Sequence, residues 1–191
     1  MTRAVSLLLV CVALVPGQSG IGPPLAGLVR DPCGNLRPVL GVAGSFITGD
    51  ILSTQVESVS FSGDLGFVKT AKSIQVFDAE GGLISEQAAP PGPALFAIPP
   101  DGRGAVAFLP VTGEWWRWSR GGFSPFEVEP DLAGAEVLAL TMPVGDRLSL
   151  VIRTGGGTSL AALSLRTGRV HAGAPLDGAS VPALLRADGT L

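Results

Sequence analysis

Val56-Glu57-Ser58-Val59-Ser60-Phe61-Ser62-Gly63-Asp64-Leu65-Gly66-Phe67-Val68-Lys69-Thr70 reads as two apolar runs, Val56 to Phe61 and Gly66 to Thr70, on either side of Ser62-Gly63-Asp64-Leu65. Serine, glycine and aspartate supply the backbone angles and local hydrogen bonds that a tight turn demands. The stretch therefore predicts a β-hairpin. Beyond it, Ala71-Lys72 precedes a third run, Ser73 to Phe77, and Asp78-Ala79-Glu80-Gly81-Gly82 leads to Leu83 through Ala88. Four runs of about five residues joined by short turns predict a four-stranded antiparallel meander.

The same text recurs. Ala94 to Ile98, Ala105 to Leu109, Trp115 to Ser119 and Phe123 to Val128 form a second unit. Val137 to Thr141, Leu148 to Arg153, Leu160 to Leu165 and Val170 onward form a third, and Val181 to Arg186 opens a fourth. The spacing is about 40 residues, a period typical of arrays of small sheets. An aspartate marks the turn after each first strand (Asp64, Asp101, Asp146, Asp188), and a glycine closes the turn before each fourth strand (Gly82, Gly122, Gly168). Several second strands, such as Gly104 to Leu109 and Leu148 to Ile152, are apolar throughout rather than alternating. That pattern predicts strands covered on both faces. A β-sandwich of about a dozen strands is the alternative, and it would alternate more cleanly.

On this strand-turn pattern and its Asp/Gly punctuation, the region from Val56 to Leu191 resembles the β-propeller superfamily, in the broad sense of secreted proteins with NHL-, YVTN- or WD-repeat-like blades. The glycine-histidine and tryptophan-aspartate pairs of true WD repeats are absent. The resemblance implies an all-β, partial β-propeller with blades at about 56–93, 94–136 and 137–180 and an incomplete one at 181–191. Propellers close with 4–8 blades, so the chain is expected to be the N-terminal part of a longer propeller. Residues 20–55 read as a Gly/Pro-rich lead-in, in which Val39 to Val42 is a candidate for the strand that completes the last blade in such folds.

The ends and the composition bound the compartment. Met1-Thr2-Arg3, the apolar run Ala4 to Val15 and the small-residue exit Pro16 to Gly20 have the parts of a signal peptide. Cleavage after Ser19 and a secreted or periplasmic location are expected, with no stable membrane span afterwards. Cys33 would then be the sole cysteine, so stability must come from an apolar core. The net charge is −3, and the 13 basic residues are scattered. That argues against a nucleic-acid partner, which needs clustered positive charge.

Few residues suggest chemistry. His171 is the only histidine and lacks a ligand or nucleophile at a telling spacing. Ser62-x-Asp64-x-Gly66 begins like the Asp-box of sialidase-like propellers, but Val68 and Lys69 stand where that motif has a threonine and a tryptophan. Thr154-Gly155-Gly156-Gly157-Thr158-Ser159 lacks the lysine and helix of a phosphate loop and reads as a hairpin. No metal-ligand spacing and no cofactor motif is present in the sequence. The distinctive cluster is Glu114-Trp115-Trp116-Arg117-Trp118. In a strand, Trp116 and Trp118 share one face, and Trp115 and Arg117 the other. Both faces then carry a tryptophan, which suits burial between two blades, while an aromatic platform for a sugar or peptide is the functional alternative. Trp115, Trp116, Arg117 and Trp118 are accordingly the candidate binding residues. The expected function is an exported, non-enzymatic scaffold presenting loops to a protein or glycan. The alternatives are part of a hydrolase- or lyase-like propeller enzyme whose catalytic residues lie in further blades, or a structural envelope component.

Overall fold

The structure is a computed structural model describing residues 23–62, 65–119, 121–129, 132, 134–142 and 145–176. The N-terminal stretch read as a signal peptide, Asp64, Asp188 and the fourth unit from Val181 lie outside them. Among the described residues no helix is long and apolar enough to cross a membrane.

Among the described residues, fifteen strands form four antiparallel sheets in strict chain order. The first is β1 (Leu25–Arg30), β2 (Leu36–Val42) and β3 (Ser45–Thr48). Blade 1 is β4 (Val56–Ser62), β5 (Leu65–Thr70), β6 (Ser73–Asp78) and β7 (Leu83–Ala88). Blade 2 is β8 (Leu95–Ala97), β9 (Ala105–Leu109), β10 (Glu114–Ser119) and β11 (Gly122–Pro125). Blade 3 is β12 (Glu136–Thr141), β13 (Arg147–Thr154), β14 (Gly157–Ser164) and β15 (Val170–Pro175). Within each blade every strand pairs with its sequence neighbour, as a meander requires. The chain is a partial β-propeller.

The stacking explains the apolar runs. All five residues of β9 are buried because they alternate between two seams. Ala105, Ala107 and Leu109 pack with Phe67, Ile74 and Val76 of blade 1. Val106 and Phe108 pack with Leu140, Leu148 and Leu150 of blade 3. A third seam, built on Leu36, Val56, Val68 and Phe77, joins the first sheet to blade 1. A sandwich would share one core between two sheets, whereas here the middle blades bury both faces against different neighbours.

The lead-in departs most from its sequence reading. It holds a complete three-stranded sheet, and Val39–Val42 falls in its central strand, β2. Both edges of that stretch are taken: Val39 faces Gly27 of β1 and Thr48 of β3. Val39–Val42 is thus the centre of its own sheet rather than an isolated strand. The turn glycines also shift. Gly81 and Gly121, one residue before Gly82 and Gly122, take the left-handed backbone, whereas Gly168 takes it in place. The strand expected from Phe123 to Val128 ends at Pro125, although Phe126 N–H still donates to Trp115 O at 2.9 Å.

Candidate functional site

Strand β10 lies between β9 and β11, and its side chains separate by face. Trp116 is 7% exposed, and its indole N–H donates to Glu114 Oε2 at 2.9 Å. With half-buried Trp118 it packs toward blade 1, where Trp118 meets Phe67 edge-on at 5.4 Å between centroids. The Trp118 indole N–H is buried with no hydrogen-bond partner among the described residues. Trp115, 6% exposed, packs toward blade 3 against Phe108 at 4.5 Å and Phe126 at 6.1 Å. Arg117 is exposed. Most of the indole surface is thus spent on the seams, and only the ends of the strand reach ligand-sized space.

Two clefts open where blades 2 and 3 meet, one at each end of β10. The larger, about 750 Å³, has Phe108, Trp115 and Phe126 among its lining residues, with Glu114, Glu127 and Glu129 also bordering it. Glu129 is paired with Arg169 at 3.0 Å and Glu114 with the Trp116 indole, which leaves the exposed Glu127 carboxylate facing solvent. Aromatic rings beside carboxylates attract cations, through the ring quadrupole and through plain charge. The smaller cleft, about 500 Å³, is bordered by Asp101, Arg103, Arg117, Trp118, Ser119 and Met142. Asp101 Oδ1 accepts the Arg103 backbone N–H at 3.0 Å, so the turn aspartate acts as a loop former.

The cluster Trp115–Trp118 was visible in the sequence, and its two faces are those the alternation predicts. Arg103, Glu127 and Glu129 were not singled out. They sit in connections between strands, and strand register within blade 2 together with the docking of blade 3 brings them to β10. His171 is exposed on β15 opposite Ala162. Gly155 and Gly156 form the two-residue turn between β13 and β14, where Thr154 faces Gly157. No group of three histidine, cysteine, aspartate or glutamate side chains able to hold a metal ion occurs among the described residues.

Elsewhere among the described residues, three ionisable groups are shifted. The Asn35 backbone N–H, with help from its side chain and Arg37, holds the Asp31 carboxyl down to about 2. Hydrogen bonds from Ser73 and then Gln75 hold Glu86 below the usual carboxylate range. Burial lowers Lys69, whose ammonium donates to Thr70 O and lies 3.9 Å from Glu57.

No family model matches the sequence, and no curated protein matches it. Similarity appears at the level of structure. A protein from Lactobacillus plantarum is similar over 75% of this chain and 51% of its own, at 14% identity and a TM-score of 0.54. PorZ of Porphyromonas gingivalis, described as an essential bacterial surface component of the type-IX secretion system, is similar over 76% of this chain and 20% of its own (12% identity, TM-score 0.51). The Dos1 propeller is similar over 78% and 48%, at 12% identity and a TM-score of 0.47. The chain spans about half the length of these structures or less. At such identities the likeness concerns the fold alone, and the stacked four-stranded meanders described above are the blades of a β-propeller.

Proposed function

We propose that this chain belongs to an exported, non-enzymatic propeller scaffold that holds a protein ligand at the larger cleft between blades 2 and 3. The observation that carries the reading is the aromatic lining of Phe108, Trp115 and Phe126 beside the acidic Glu114, Glu127 and Glu129. A lysine or arginine side chain of a partner fits this chemistry, its aliphatic stem on the rings and its charge beside the carboxylates. A concave, largely apolar space with a few convergent polar groups is where ligands generally bind. Export is supported by the basic start, apolar run and small-residue exit at the N-terminus.

Titration with an oligoarginine peptide tests the ligand reading. Binding is expected to weaken about two- to five-fold in Glu127→Gln, the scale of one exposed charge. Failure of the peptide to bind a natively folded sample would overturn it, and binding of neutral glycans instead would replace a protein ligand with a glycan. Fractionation of expressing cells, with N-terminal sequencing of the product, tests export: a mature chain starting at Gly20 supports it, and a cytoplasmic chain starting at Met1 sinks it.

A further inference from the structure

The opposite mouth of the same seam has the reverse chemistry. Arg103 lies in the connection from β8 to β9, and Arg117 lies on the blade 3 face of β10, opposite Val106. Both are exposed and both border the cleft of about 500 Å³. The five ion pairs among the described residues use Arg37, Lys69, Arg153, Arg166 and Arg169 as their cations. Neither Arg103 nor Arg117 takes part in any of them. In a chain of net charge −3, two guanidiniums that stand outside the ion pairs of the described residues form a local positive site beside one cleft. Guanidiniums present planar forks of donors that match a carboxylate in pairs.

The third charge in the cleft narrows the ligand. Asp101 also borders it, with Oδ1 held by the Arg103 backbone N–H. A ligand made only of carboxylates would be repelled there. One that carries hydroxyls beside its carboxylate would instead donate to Asp101 while its anionic group engages the arginines. Ser119 adds a further exposed hydroxyl.

We infer that the cleft formed by Arg103, Arg117 and Asp101 is a binding site for an acidic saccharide, a sugar bearing a carboxylate and free hydroxyls. It is independent of the aromatic cleft, since it lies at the other end of β10 and selects the opposite charge.

The test is calorimetric titration of the purified protein with an oligogalacturonide, its carboxyl-reduced neutral counterpart and a hexaglutamate peptide. The acidic saccharide is expected to bind. Arg103→Gln and Arg117→Gln should each weaken it roughly tenfold, and Asp101→Asn should weaken it while strengthening any binding of the peptide, which that carboxylate repels. These side chains are exposed, so circular dichroism and thermal midpoint should match the parent protein. Equal binding of neutral and acidic saccharides would overturn the proposal, as would binding that survives both arginine substitutions. Tighter binding of hexaglutamate than of the saccharide would reassign the cleft to acidic peptides, and no binding by either acid would remove it as a site.

Discussion

Ser58 and Ala94 are joined twice across the seam between blades 1 and 2 through a single hydroxyl: Ser58 Oγ donates to Ala94 O at 2.8 Å and accepts from Ala94 N–H at 2.9 Å. The pair sits where the first strands of the two blades, β4 and β8, approach each other, just before β8 begins. Removing the hydroxyl leaves both backbone groups without that partner in a part-buried place. Ser58→Ala is expected to cost about 1–3 kcal/mol, read as a lower urea midpoint with an unchanged slope. An unchanged midpoint would show that water replaces the hydroxyl without loss.

The adjacent tryptophans should destabilise separate seams. Trp115→Ala and Trp116→Ala each open a cavity in a packed interface, at a cost of about 3–5 kcal/mol. Because Trp115 faces blade 3 and Trp116 faces blade 1, amide hydrogen exchange should rise first in β12–β14 for the former and in β5–β6 for the latter. A mutant that keeps native exchange everywhere would remove that tryptophan from the core.

Gly168 is required by its surroundings. It has φ +73°, and an added Cβ would overlap Glu127 O of the segment that follows β11. Its own carbonyl accepts Glu129 N–H at 2.9 Å. Gly168→Ala should therefore destabilise by about 1–3 kcal/mol. Gly155→Ala, where a Cβ meets nothing within 4 Å, should lie within about 0.5 kcal/mol of the parent. Equal thermal midpoints for the two variants would contradict this.

The turn between β1 and β2 should weaken only in strong acid. Asp31 Oδ1 accepts Asn35 N–H at 2.8 Å, and Oδ2 accepts from Asn35 Nδ2 and Arg37 Nε, both at 3.0 Å. The folded-state pKa of about 2 lies below the ordinary 3.8. The stabilisation is thus fully present above about 3.8 and lost as pH falls through about 2. Exchange protection at Leu36 and Arg37 should fall across that window in the parent, and Asp31→Asn should flatten the dependence. Protection that stays constant to pH 2 in the parent would show that the carboxylate contributes nothing.

The blades were legible because their turns carry the information. Asp101 forms the local hydrogen bond its position suggests, and Gly168 occupies the left-handed turn that a glycine there implies. The first sheet was obscured by residues that usually interrupt strands. Pro38 lies inside β2 and offers no N–H, and Gly41 is needed because an added Cβ would overlap Ser45 O. The two faces of β10 followed from alternation, since a strand sends neighbours to opposite sides. The clefts did not follow. Arg103 and Arg117 are fourteen positions apart in the sequence and meet only through the register of β9 with β10 and the docking of blade 3.

The three seams differ in size, and this bears on how the array responds to load. Among the described residues, thirteen buried apolar side chains form the seam between blades 2 and 3, ten that between blades 1 and 2, and four that between the first sheet and blade 1. In a stack where each layer grips only its neighbours, strength is set link by link. Drawn out from its N-terminal side, the molecule should give way as a row of unequal fasteners, with β1–β3 peeling away first. Both clefts flanking β10 lie at the strongest of these fasteners and would keep their shape longest.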